Sequence, residues 1–246
     1  MLSGMLSTIR VSRFTQICNR ANLRRASDRA ATETMTDRPK PRGRRPKRRD
    51  VLDAGTEEFL EKGYAGTTLA MIAERAQVST ATVFKHFPTK ADIFGAIMGE
   101  VFGNDQDALP PAPDAGDPRA GLMEIGTDYA TLLADPKVRA LFRVIIAEVP
   151  RFPELGRELY EKGKLPYLLR LKDYVEAEIA AGTLQVDDVD LAIRQFLGMI
   201  NDVVFWPHML VVDLEESEDR IRAVVDGAVD VIVKCYGANS CSGPTH

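Results

Sequence analysis

Apolar residues recur every three to four positions along most of this chain, and polar, proline- or glycine-rich stretches separate the runs. In PKRRDVLDAGTEEFLEKGYAG, Val51, Leu52, Gly55, Phe59 and Leu60 share one helical face and Gly63 supplies a stop. A second short helix is expected from a Thr67 or Thr68 cap through Arg75 or Ala76, and a third from a Ser79 cap to about His86. A fourth starts near Thr89, with Ile93, Phe94, Ile97, Met98 and Val101 as its apolar set. Further helices are predicted at about 119–134, 137–149, 153–181, 188–210 and 216–236, and Pro166 and Pro207 should kink two of them. No stretch alternates with period two for long enough to make a strand. The pattern predicts an all-α chain of about nine helices, a small N-terminal bundle followed by a larger C-terminal one.

Breaks in the pattern set the expected boundaries. Residues 1–45 lack any sustained apolar period and are expected to be a disordered basic extension. Residues 46–103 are expected to form the first domain, 104–118 a Pro-rich linker, 119–237 the second domain, and 238–246 a disordered tail. Met1 to Thr34 has the Arg-rich, acid-poor composition of an organellar transit peptide, and a start at Met35 is the competing and favoured reading. Charge divides the same way. Residues 1–50 hold fourteen Lys and Arg against four Asp and Glu, whereas the rest is strongly acidic. A basic arm on an acidic body points to an anionic partner for the arm alone. Cys18, Cys235 and Cys241 show neither metal-ligand spacing nor a disulfide framework, and no apolar run is long enough to span a membrane, so a cytoplasmic protein without cofactor or metal is expected.

The stretch TTLAMIAERAQVSTATVFKHFPTK, Thr67 to Lys90, reads as a helix–turn–helix. Ile72, Ala76, Val78 and Val83 supply its shared core, and Ala73 sits where the helices cross. Ser79 caps the second helix, leaving Thr80, Ala81, Thr82 and Lys85 facing outward. Short side chains at the front of such a helix let its backbone enter a major groove. A plain corner of a helical bundle has the same local pattern. The preceding arm weighs toward DNA, because Arg38, Lys40, Arg42, Arg44, Arg45, Lys47, Arg48 and Arg49 are interleaved with Pro39, Pro41, Gly43 and Pro46. That composition suits an extended strand along phosphates better than an amphipathic membrane helix.

Residues 51–98, from F-x-E-K-G-Y through T-T-x-x-x-I-A-E-R-A, V-S and F-K-H-F-P-T-K, resemble the DNA-binding domain of the tetracycline-repressor (TetR/AcrR) family. The resemblance implies a three-helix helix–turn–helix head on a ligand-binding body. It also implies a homodimer that binds double-stranded operator DNA, and release by a small-molecule effector. It assigns Thr68 to a phosphate, Ser79, Thr80, Ala81 and Thr82 to base edges and backbone, and Lys85, His86 and Lys90 to phosphates. Arg44, Arg45 and Arg48 complete the expected DNA-binding set. Phe84 stands where the family usually has Tyr, and Gln77 replaces the usual turn Gly, which implies a left-handed Gln or a different turn.

In the second domain, IAEVPRFPEL resembles a run that joins two helices in one branch of the family, and Arg143, Glu148, Arg151 and Glu154 are candidates for ion pairs there or for a solvated face. The stripes Val224, Val225, Ala228, Val229, Ile232, Val233 and Tyr236, and Leu191, Phe196, Leu197, Ile200, Val204 and Phe205, are expected to serve dimerisation through the last two helices, or their own core. Candidate ligand-pocket residues are Tyr129, Phe142, Tyr167, Phe196, Met199, Asn201, Asp202, Phe205, Trp206 and His208. Asp202 and His208 draw notice as polar groups on an apolar helix. Three scattered His, no Gly-rich phosphate loop and acidic pairs confined to helix starts argue against an enzyme. A sequence-tolerant architectural DNA binder without a ligand is the remaining alternative, and the acidic body weighs against it.

Overall fold

The computed structural model describes residues 48–103 and 112–238; Arg44, Arg45, the basic extension, most of the linker and the tail lie outside them. Four helices form the head: α1 (Arg48–Gly66), α2 (Leu69–Arg75), α3 (Thr80–His86) and α4 (Lys90–Val101). The body comprises α5 (Pro118–Ala134), α6 (Pro136–Glu148), α7 (Pro153–Glu158), a π-helical turn (Leu159–Lys164), α8 (Leu165–Ala180), α9 (Val189–Val204), α10 (Trp206–Leu210) and α11 (Glu218–Tyr236). No strand occurs among the described residues; one isolated bridge pairs Leu184 with Gly237.

Of the two prolines expected to kink helices, Pro207 breaks its helix, whereas the chain stays helical through Pro166 with a π-helical turn just before it. Pro166 opens α8 directly after the π-helical turn, so the backbone widens where the proline cannot donate. Pro207 opens α10, and the chain leaves helical register at Phe205. Gly63 also acts as a stop. Its φ of 71° turns the chain out of α1 before one more turn reaches Gly66.

The head is packed around Phe59, Ile72, Val83, Ile93, Phe94 and Met98, each fully enclosed. Arg75 ties α2 to α1 through Glu57, Glu58 and Glu61 at 3.1, 2.6 and 2.5 Å. In the body, α5, α8, α9 and α11 surround one core that includes Leu122, Tyr174, Phe196, Ile200, Val225 and Val229. Glu178 is buried there, accepting hydrogen bonds from the Tyr174 hydroxyl at 2.7 Å, the Thr183 hydroxyl at 2.5 Å and the Gly116 amide at 3.0 Å. That carboxylate fastens the approach to α5 onto the end of α8.

Most of the two apolar stripes expected to serve a dimer or the chain's own core turn inward, with Leu191 left exposed. Val225, Ala228, Val229 and Ile232 of α11, and Phe196, Leu197, Ile200 and Val204 of α9, fill the protomer's own core. The two helices pack on each other and on α5, so their apolar faces are used up within one chain. Their outward faces carry Gly198, Ala223, Gly227 and Val231 instead.

Candidate nucleic-acid interface and its tie to the body

Two hydrogen bonds shape the turn between α2 and α3. The Val78 amide reaches the Ala73 carbonyl at 2.9 Å and the Gln77 amide the Glu74 carbonyl at 3.0 Å, with Gln77 left-handed at φ 57°. That is a Schellman stop with glutamine in glycine's place. Ser79 then caps α3, its hydroxyl accepting from the Thr82 amide at 3.1 Å and sharing a 2.8 Å hydrogen bond with the Thr82 hydroxyl. Thr80, Ala81, Phe84, Lys85 and His86 are exposed on α3, Phe84 by 59%. Thr68 is exposed too and caps α2, accepting from the Met71 amide at 3.3 Å.

Two of the expected phosphate ligands lie elsewhere. Arg48 pairs with Glu100 of α4 at 3.4 Å and lies over the Phe87 ring. Lys90 turns inward. Its ammonium donates to the Tyr64 carbonyl at 2.6 Å and the Thr67 carbonyl at 3.1 Å, where the end of α1 leaves carbonyls to be satisfied. It also sits 4.3 Å from the Tyr64 ring centre and 5.5 Å from that of Phe152. Burial holds the Lys90 pKa below its ordinary value, partly offset by Glu148 and Glu154.

Phe152 belongs to the corner between α6 and α7, so this cluster is where head and body meet. Phe152 packs edge-on to Tyr64 with centres 5.2 Å apart, and Tyr64 stacks on Phe59. Glu148, at the end of α6, accepts from the Ala65 amide at 3.3 Å, just past the Gly63 turn. The corner charges thus find backbone and ring partners: Arg143 donates to the His208 carbonyl at 2.6 Å, and Arg151 lies over Phe152.

Five of the ten expected pocket residues, Tyr129, Phe142, Tyr167, Phe205 and Trp206, come together in an aromatic ladder. Tyr129 stacks on Tyr167 at 5.7 Å, Tyr167 approaches Phe102 at 6.2 Å, Phe102 meets Phe142 at 6.4 Å, and Phe142 meets Phe205 at 5.0 Å. Trp206 ends the row 5.4 Å from Phe205. Phe196 is in the adjoining core and Met199 packs against it. Asp202 departs from expectation: it is exposed on the outer face of α9, where water solvates it. Trp206 is half exposed, because the break before Pro207 swings it outward. Phe102, which ends α4, is absent from the expected pocket set; its continuation of the α4 apolar spacing beyond Val101 was the available signal.

Carbonyls near the α9–α10 break are taken by α6. Arg139 donates to the Val204 carbonyl at 3.1 Å and the Leu133 carbonyl at 2.8 Å, while Arg143 holds that of His208. The His208 ring is 2% exposed and neither of its nitrogens has a hydrogen-bond partner. Burial, then the Arg139 charge, lowers its pKa below the ordinary 6.5, against a weaker opposing pull from Glu216.

A helix–turn–helix head whose reading helix is exposed, fixed to a separate helical body, defines a DNA-binding regulator. Residues 51–97 match the family described as bacterial regulatory proteins, tetR family, and residues 120–238 match the C-terminal domain of AefR-like transcriptional repressors. The chain belongs to the TetR family. Over 68 residues it is 41% identical to the transcriptional repressor Rv3405c of Mycobacterium tuberculosis, a match covering 27% of this chain and 36% of that one. Other curated relatives are spanned over 64% and 85% of their length. A TetR-family regulator structure from Mesorhizobium loti superposes with a TM-score of 0.67 at 28% identity, covering 77% of this chain and 96% of that one. The flavonoid-responsive regulator FrrA does so at 0.60 and 28%, with the same coverage. Proteins of this family are transcription factors rather than enzymes; they bind operator DNA and typically dimerise. Among the described residues no helix is long and apolar enough to cross a membrane.

Two measurements check these contacts. Lys90→Met removes the donor to two carbonyls, of which that of Tyr64 keeps the Thr67 amide at 3.3 Å, and empties the space between two rings; urea unfolding should show a loss of about 1–2 kcal/mol, after solvent screening of a partly exposed ammonium. For His208, the unfolded ring takes a proton below about pH 6.5 while the buried ring resists it. Stability is therefore full above that pH and falls on acidification, by at most about 1.4 kcal/mol per pH unit. His208→Leu should flatten this part of a stability–pH curve measured from pH 7.5 to 5.

Proposed function

We propose that the protein is a dimeric repressor that a small, largely apolar ligand releases from its operator. The observation that carries this reading is the span of α4. It starts at Lys90, locked into the head, and ends against Phe102, a rung of the aromatic ladder. A ligand that enters the ladder must part packed rings, and displacing Phe102 displaces α4. A molecule acts in this way only if it binds the displaced state better. The ladder favours a planar ring system, and FrrA, by its name, responds to flavonoids.

Dimerisation is assigned to the outward faces of α9 and α11. A Cβ added at Gly198 or Gly227 would meet no atom within 4 Å, so two helix pairs can approach closely there. A two-fold pair of heads then reads two half-sites at a fixed spacing. Ser79, Thr80, Ala81 and Thr82 lead into the groove, Lys85 and His86 flank it on the phosphates, and Thr68 contacts the backbone from α2. Arg44 and Arg45, outside the described residues, would add phosphate contacts from the arm.

The test is to select operator fragments from genomic DNA and titrate flavonoids against the bound complex. Release should accompany quenching of Trp206, the single tryptophan, and Phe142→Ala should abolish both. Saturating ligand that changes Trp206 emission but leaves operator affinity intact refutes ligand-controlled release. On the DNA side, Phe84→Tyr restores a hydroxyl to the exposed face of α3 and should tighten binding about 3- to 10-fold, the worth of one hydrogen bond. Lys85→Ala should reduce the slope of log affinity against log salt by about 0.9. Filter-binding or fluorescence anisotropy at several salt concentrations reads both.

A further inference from the structure

Five large apolar side chains are exposed within nine residues: Trp206 by 48%, Leu210 by 83%, Val211 by 48%, Val212 by 77% and Leu214 by 38%. They lie on α10 and on residues 211–217, which cross to α11 with no helix or strand. Single exposed apolar residues are ordinary, but a contiguous run marks an interaction site.

Three observations choose its partner. The run continues the outward stripe of α9, where Leu191, Gln195, Gly198 and Asp202 are exposed at helical spacing and Trp206 follows four residues later. It then leads into α11, whose outward face holds Ala223, Gly227 and Val231, so it is continuous with the face assigned above to a second copy. Charge argues against a lipid surface or nucleic acid. Asp202, Asp213, Glu215, Glu216, Glu218 and Asp219 surround the run, and no Lys or Arg occurs between Arg194 and Arg220. Area supplies the third. Leu191 and Val231 are the large apolar side chains exposed on these two faces, and the small residues between them allow close approach but add little apolar surface, whereas a stable pair buries about 800 Å² per partner around a more apolar core.

We infer that residues 206–214 form an apolar tongue that each protomer lays against the α9–α11 face of the other. The tongue adds large side chains to a face where Leu191 and Val231 stand among small residues. This rests on the dimer reading, and two variants of the full chain separate them: Leu210→Asp with Val212→Asp in the tongue, and Gly227→Glu on the helix face. Sedimentation equilibrium should show the tongue variant dimerising about 100-fold more weakly, in the range of interface hot spots, with its helical circular dichroism retained. Gly227→Glu should be monomeric. A tongue variant with unchanged dimerisation beside a monomeric Gly227→Glu overturns the tongue and leaves the dimer standing. Two variants that both dimerise normally overturn the assignment of the dimer to the α9–α11 face, and the tongue with it. The unaltered protein gives an independent reading. Trp206 emission should shift to the blue and resist acrylamide quenching as the dimer forms on concentration, and emission independent of concentration across the dimerisation range overturns the tongue. Wild-type protein that floats with neutral phosphatidylcholine vesicles, when the tongue variant does not and still dimerises normally, assigns the run to lipid and equally overturns it.

Discussion

One ammonium group, that of Lys90, organises the joint between the DNA-reading head and the helical body. Gly63 turns the chain out of α1 and leaves the carbonyls of Tyr64 and Thr67 pointing into a partly buried space. A cation there satisfies both, and the rings of Tyr64 and Phe152 close around it. The next residue after Thr67 is Thr68, the cap of α2, so the same contact sets where the helix–turn–helix begins. Because Phe152 comes from the body, the head is positioned against the body by an interaction that also shapes the head's own chain. A hydrophobic contact alone would fix distance; hydrogen bonds to two particular carbonyls fix orientation as well.

The far end of the joint runs through α6. In its first turn Arg139 and at its middle Arg143 hold carbonyls of Val204 and His208 across the break that Pro207 makes, and at its end Glu148 holds the Ala65 amide. Thirteen helical residues span roughly 20 Å. A stiff element is thus hydrogen-bonded to an irregular segment at both ends, and irregular segments are where small rearrangements cost least. Under the effector reading, α4 and α6 act in parallel. Phe102 and Phe142 are neighbouring rungs of one ladder, so a ligand that parts them pushes on both helices at once. Successive rings lie 5.0–6.4 Å apart, so under that reading uptake would have to part them and that repacking would drive the motion.

The helices were legible in the sequence because each carries its own punctuation. Ser79, Thr89, Asp135 and Asp188 all accept from amides in the first turn of the helix they precede, and each is a residue type whose short side chain favours that role. The outward residues of α3 were legible for the same reason. Lys90 and Arg48 were not. Nothing in a linear pattern tells whether a lysine at a helix start faces phosphate or a pair of carbonyls twenty-odd residues earlier in the chain; that depends on the turn at Gly63. The apolar stripes of α9 and α11 meet a related limit. Spacing reports which residues share a face, but not whether that face meets the same chain or another.

Gln77 shows how the head tolerates a departure from its family. A left-handed conformation costs a residue with a side chain on the order of 1–2 kcal/mol more than it costs glycine. The Schellman hydrogen bonds from Val78 to Ala73 and from Gln77 to Glu74 form only in that conformation, and they close the end of α2. Abandoning it would also shift Ser79, whose position aims α3, and would expose Val83 and Ile72 from beneath it. The strain is therefore borne by one exposed residue while the packing of the whole motif opposes its relief. Glutamine is acceptable there because its side chain is exposed, needing no room in the crossing that Ala73 keeps narrow.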